Sequence, residues 1–136
     1  MSKKRILIVD DEKEFADGLA SRCRRLGLDV ETARNTLTAL TIIGVRPPDL
    51  ICLDVEMPTG NGLGVCELLT ADPNIAQKPV VILTGHKDAG TRQRCNELHA
   101  HYVHKSPDVW DRLRPLICEL LDFHPEPAEE LMESAV

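Results

Sequence analysis

Aromatic residues are scarce in this chain. Only Phe15, Tyr102, Trp110 and Phe123 occur among 136 residues, so any core must be aliphatic. No apolar run approaches the roughly 20 residues that a membrane-crossing helix needs. Lys3, Lys4 and Arg5 precede the apolar residues 6–9, but that run is too short for a secretory signal and ends in Asp10. Five cysteines are present, at 23, 52, 66, 95 and 118, and no two form a CxxC pair. Their odd number and the apolar settings of Cys23, Cys52 and Cys118 predict free, mostly buried thiols in a reducing cytoplasm. Positive charge is in the minority. The net charge of −6 weighs against non-specific binding to nucleic acid or to an anionic membrane surface.

Phosphate-cradling fingerprints are also missing. The stretch LDVEMPTGNGLG at 53–64 is rich in glycine, yet Gly60-Asn61-Gly62 is followed by Val65 where a dinucleotide fingerprint needs Gly or Ala. Met57-Pro58-Thr59 separate it from the preceding apolar run, and no GxxxxGK[ST] occurs anywhere. The first turn after an apolar run holds acids where a pyrophosphate would need amide donors. Gly60-Asn61-Gly62 therefore reads as a tight turn with positive φ leading into a helix.

What is present is an alternation of two periodicities. At 43% apolar and 28% charged the composition is that of an ordinary soluble globular protein, and the length suits one domain. Residues 5–9, 50–53 and 80–83 are continuous aliphatic runs, as strands buried on both faces must be. Residues 29–33 and 102–103 are shorter or partly polar, as edge strands tend to be. Between them lie helical patterns. The first, at 14–26, sets Phe15, Leu19, Cys23 and Leu26 on one stripe and ends at Gly27. The second follows a Thr36 cap with Ala39, Leu40 and Ile43 inward, and stops at Pro47-Pro48. A third at 62–71 turns Leu63, Cys66 and Leu69 inward, and a short polar fourth spans 91–98. The fifth, at 107–121, places Leu113, Leu116, Ile117 and Leu120 inward behind a Ser106-Pro107 start.

Five strands alternating with five helices imply an α/β fold with a single doubly wound parallel sheet. Central first, third and fourth strands with second and fifth at the edges match the flavodoxin-like order 2-1-3-4-5. Right-handed crossovers then put the first and fifth helices on one face and the middle three on the other. Winding reverses between the first and third strands, so a ligand should sit outside their carboxyl ends. The first strand runs into Asp10-Asp11-Glu12 and the third into Asp54. Carboxylates crowded there repel one another by about 4 kcal/mol per pair near 4 Å at an effective dielectric of 20. A proton or a cation must relieve them, and an all-oxygen set suits a hard ion such as Mg²⁺. Thr84 and Lys105 end the fourth and fifth strands on the same edge. Acids, a hydroxyl and an ammonium together can bind Mg²⁺, accept a phosphoryl group and hold its oxygens.

The stretches ILIVDDE (6–12), PDLICLDVEMPTGNG (48–62), VVILTG (80–85) and YVHKS (102–106) resemble the response-regulator receiver domains of two-component signalling, of the chemotaxis-regulator type. The resemblance covers residues 4–121. It implies that Asp54 is the phosphoacceptor, and that Asp10, Asp11, Asp54 and the backbone carbonyl of Glu56 hold Mg²⁺. It further implies that Thr84 and Lys105 contact the phosphoryl oxygens, and that Thr84 and Tyr102 form the switch acting on the fourth helix, fifth strand and fifth helix. The donor would be a phosphohistidine on a sensor histidine kinase or phosphotransfer protein. The recipient of the signal would be an effector protein or output domain, with no direct contact to nucleic acid or membrane. Such a domain transfers and hydrolyses its own phosphoryl group without being a dedicated metabolic enzyme. Glu56 and His86, two positions after Asp54 and Thr84, are expected to flank an attacking water and to tune phosphoryl lifetime.

Two alternatives come from other classes. An aspartate-nucleophile phosphohydrolase would want a second Asp two residues after the first, where Glu56 stands. A receiver-like binding module that works without phosphorylation would lack one of the acids, Thr84 or Lys105, and none is missing. The sequence departs from the family pattern at Ser106, where a proline usually follows the lysine, and at Leu98-His99-Ala100-His101, where a Gly-Ala segment is usual. His99, His101 and His104 read as surface or edge histidines. The expected organisation is a receiver domain at 1–121 and an acidic, proline-containing tail or linker stub at 122–136.

Overall fold

The computed structural model describes residues 3–54, 67, 71, 73, 75, 77–85 and 89–125. The five strands are β1 (Arg5–Val9), β2 (Asp29–Ala33), β3 (Leu50–Asp54), β4 (Val80–Thr84) and β5 (His101–His104). The helices are α1 (Lys13–Arg25), α2 (Thr36–Val45), α3 (Ala89–Glu97) and α4 (Val109–Leu121). The α3 and α4 of this numbering correspond to the fourth and fifth helices expected from sequence. Apart from residues 67 and 71, the expected helix at 62–71 lies outside the described residues, as does the tail beyond 125.

All strand pairs are parallel and the order is β2-β1-β3-β4-β5. Every residue of β3 and β4 is buried, whereas β2 and β5 at the edges are mixed. Because side chains alternate across a strand, the sheet divides its aliphatic residues between two cores. Ile6, Ile8, Leu50, Cys52, Val81, Leu83 and Val103 pack with the buried faces of α1 and α4. Leu7, Val9, Ile51, Leu53, Val80 and Ile82 pack on the other side with Ala39 and Ile43 of α2 and Cys95 of α3. Helices thus lie on both faces, as right-handed crossovers require.

Helix ends differ locally from expectation. Asn35, not Thr36, is the cap of α2: its side chain accepts a 2.8 Å hydrogen bond from the Thr38 N–H. The Thr36 hydroxyl is buried and has no partner among the described residues. An Asn one residue earlier outcompetes the threonine because its carbonyl reaches the third residue of the helix. Leu40, expected inward, is 38% exposed, and Leu37 and Val45 are more exposed still. The helix is apolar nearly all round, so its pattern alone does not choose a face. Gly27 ends α1 at φ 98°, a left-handed conformation natural to glycine. At the end of α3 the same role falls to His99, at φ 58°, with the Ala100 N–H reaching the Cys95 carbonyl at 2.8 Å. That geometry explains how Leu98-His99-Ala100-His101 replaces a glycine-containing segment before β5.

Candidate functional site

Parallel strands deliver their carboxyl ends to one edge, and the register decides which side chains meet there. Val9 pairs with Leu53, so the next residues along, Asp10 and Asp54, stand side by side at the switch point. Both are 1% exposed. Thr84 ends β4 and is 2% exposed. The Lys105 N–H donates to the Thr84 carbonyl at 2.6 Å, which extends the β4–β5 pairing and fixes where the lysine leaves the sheet. By alternation, Asp10, Asp54 and Lys105 follow the face that packs on α1 and α4, whereas Thr84 and Tyr102 follow the other face, toward α3.

Lys105 reaches back across the edge. Its Nζ lies 2.8 Å from Glu12 Oε1, 2.9 Å from Asp10 Oδ2 and 3.8 Å from Asp54 Oδ2. The ammonium also sits over the Phe15 ring, 4.3 Å from its centre. Burial opposes its charged form, but hydrogen bonds to Glu12 and Asp10 and the charges of Asp10 and Asp54 outweigh that. Together they hold the ammonium above the ordinary lysine range. Asp10 is fully engaged: its second oxygen accepts the Glu12 N–H at 2.9 Å, which turns the chain from β1 into α1. Arg112 of α4 steadies the other end of the lysine loop, donating to the His104 carbonyl at 2.9 Å and contacting Ser106 Oγ. Ser106 thus has a local anchor of its own, and no peptide bond among the described residues is cis.

Carboxylate oxygens of Asp10, Glu12 and Asp54 all lie within 4.8 Å of one another. Three carboxylates against one ammonium leave two negative charges in a small space, and all the donors are hard oxygens. That set fits a small divalent cation. Of the acids expected to be ligands, Asp10 and Asp54 are in this group. Asp11 is exposed at the bend and lies outside this group, whose third member is Glu12. Glu56 and His86 lie outside the described residues. Tyr102 is half-buried, with the Arg92 guanidinium 5.1 Å from its ring centre. Tyr102 pairs with Ile82, two residues before Thr84, so the two switch candidates are diagonal neighbours on one face.

Sequence reasoning noticed Glu12 as part of an acidic run but gave it no role, and it placed Phe15 in the core alone. The signal for Phe15 was its rarity as an aromatic in the first turn of the helix that follows the acids. Cysteines 23, 52 and 95 are buried and Cys118 is half-buried, and none of the four forms a disulfide among the described residues. Burial pushes the Cys52 and Cys95 thiols up, so neither is poised for nucleophilic work.

A flavodoxin-like α/β domain with an acid-and-lysine notch at its switch point is the class defined by these features. The chain belongs to the response regulator receiver domain family of two-component signalling, whose sequence model matches residues 6–111. It is 39% identical over 121 residues to the protein named "Probable transcriptional regulator ycf27" of Cyanophora paradoxa, covering 86% of this chain and 49% of that protein. The chain therefore spans about half the length of that curated relative. The solved signal receiver domain of a signal transduction histidine kinase from Syntrophus aciditrophicus is 31% identical, with a TM-score of 0.78 over 88% of this chain and 90% of that one. Vibrio cholerae chemotaxis protein CheY4 superposes with a TM-score of 0.81 over 88% of this chain and all of that one; at 21% identity this speaks to the fold alone. Among the described residues, no helix is long and apolar enough to cross a membrane.

Proposed function

We propose that the chain is a phosphoacceptor signalling domain that receives a phosphoryl group on Asp54 from a phosphohistidine donor, with Mg²⁺ bound. The observation that carries this reading is the placement of Lys105 Nζ 3.8 Å from the Asp54 carboxylate, beside two further acids at the sheet edge. Asp54 supplies the electron pair that forms the new O–P bond. The P–N bond of the donor breaks, and its electrons return to the imidazole, which takes a proton from solvent. A carboxylate is a weak nucleophile whose charge repels the incoming group, so neutralisation must be built into the site. Lys105 supplies one positive charge, and Thr84 offers a hydroxyl to a phosphoryl oxygen. Asp10, Asp11, Asp54 and the Glu56 carbonyl would hold Mg²⁺, with Glu12 within reach. Bound there, the ion offsets the repulsion between acids and donor and steadies the charge spread over the transferring oxygens.

The added charge, on the order of −1.5 to −2 by analogy with other phosphoryl groups, then draws Thr84 toward the site. Movement of Thr84 frees space on the α3 face for Tyr102, which biases the surface formed by α3, β5 and α4. The partners in this reading are a histidine kinase or phosphotransfer protein upstream and an effector or output domain downstream. Residues 1–121 make no nucleic-acid or membrane contact of their own in it. Glu56 and His86 keep their proposed part in tuning phosphoryl lifetime. The test is labelling by a small phosphodonor, with Asp54→Asn as control. Label that requires Mg²⁺ and disappears in the variant is expected; label that survives Asp54→Asn overturns the assignment.

A further inference from the structure

The Lys105 ammonium is shared unevenly. Glu12 and Asp10 hold it at hydrogen-bond distance, 2.8 and 2.9 Å, whereas Asp54 is 3.8 Å away, beyond such a bond. The two holders differ in kind. Asp10 is sealed in the core edge at 1% exposure, and its carboxylate is also tied to the Glu12 N–H. The Glu12 side chain is 65% exposed, so it can leave the ammonium for water at little cost. An ammonium has three donors; Glu12 and Asp10 take two of them, and from 3.8 Å the ammonium must move toward Asp54 to bring its N–H groups to a phosphoryl oxygen there.

We infer that Glu12 is a positioning residue that acts through Lys105: it holds the ammonium toward α1 and away from Asp54, and thereby slows phosphoryl acceptance. Glu12 thus competes with the incoming phosphoryl oxygens for the position of the ammonium. Its ion pair with Lys105 is broken or weakened as the ammonium turns to Asp54. This inference rests on the phosphoacceptor reading of Asp54, and it adds a brake that neither the acids nor the lysine supplies alone. Because Glu12 lies on the solvent side of Lys105, the brake is also the part of the site that an approaching phosphodonor protein can reach.

The test compares wild type, Glu12→Gln and Glu12→Asp at saturating Mg²⁺ with a small phosphodonor, in single-turnover labelling. Glu12→Gln removes the charge, and Glu12→Asp keeps it but shortens the arm by one methylene, out of reach of Lys105. Both variants are expected to label about threefold to fivefold faster than wild type, the scale of an exposed ion pair. In metal-free protein, the ¹⁵N signal of the Lys105 ammonium is expected to shift in both variants alike. Thermal unfolding of each variant checks that the fold is intact. Equal or slower labelling of Glu12→Gln overturns the inference. So does Glu12→Asp matching wild type while Glu12→Gln is faster, because that pattern means general repulsion of the donor, not a hold on Lys105. Absence of label in wild type sinks the phosphoacceptor reading itself, and an unshifted ammonium signal sinks the Glu12 inference independently.

Discussion

Replacing Asp54 with Asn should make the metal-free protein more stable. In the acid cluster, carboxylate oxygens within 4.8 Å repel by about 3.5 kcal/mol at an effective dielectric of 20. Asp54 meets that repulsion in full from Asp10, which is 1% exposed. It meets a much smaller share from Glu12, whose exposure screens it. Lys105, 3.8 Å away, returns about 4 kcal/mol of attraction on the same scale. Those contributions nearly cancel, which leaves the cost of taking the Asp54 carboxylate out of water, on the order of several kcal/mol. Asn keeps the shape and removes the charge. The expected gain is about 1–3 kcal/mol, or roughly 3–10 °C in Tm for a domain of this length. The assay is thermal and urea unfolding of wild type and Asp54→Asn in EDTA, repeated in Mg²⁺. The ion should raise the Tm of wild type more than that of the variant, since it relieves the same repulsion. A variant that unfolds before wild type in EDTA would refute the electrostatic account of the notch.

Three further outcomes follow from the same structure. Lys105→Met leaves the buried acids without their ammonium; a loss of about 3 kcal/mol is expected in urea unfolding, partly restored by Mg²⁺. Since the folded state holds the Lys105 proton more tightly, its contribution is complete below the ordinary lysine value of about 10.4 and is lost as pH rises through the higher folded value. The Tm gap between wild type and Lys105→Met should therefore be flat from neutral pH to that point and close above it. Asn35→Ala should cost about 1 kcal/mol as a lost helix cap, whereas Thr36→Ala should cost less, because the Thr36 hydroxyl is buried without a partner among the described residues; denaturant midpoints decide. Ile82→Ala, at a fully buried position of β4, should cost about 2–5 kcal/mol in the same measurement.

Much of the fold was legible because burial on two faces leaves a simple mark. Residues 6–9, 50–53 and 80–83 are aliphatic without interruption, and only central strands of a parallel sheet need that. The mixed strands β2 and β5 fell to the edges for the same reason. Once the order was known, chain direction alone sent Asp10, Asp54, Thr84 and Lys105 to one edge, since every parallel strand ends there. Helix α2 was less legible. Its residues are apolar on every side, so pattern could not say that Leu40 faces outward while Ala39 and Ile43 face the sheet.

By itself, then, the order of residues along the chain determined which side chains can gather at the switch point, because periodicity sets strands and parallel winding sets their ends. Only the tertiary structure decided how they share one another. That Glu12 and not Asp11 joins Asp10 and Asp54, that Phe15 lies under the ammonium, and that Lys105 stands nearer Glu12 than Asp54 all depend on the turn from β1 into α1. A run of three acids carries no mark of which one turns inward. That choice is made by the Asp10 carboxylate accepting the Glu12 N–H and by a lysine that arrives from 93 residues further along the chain.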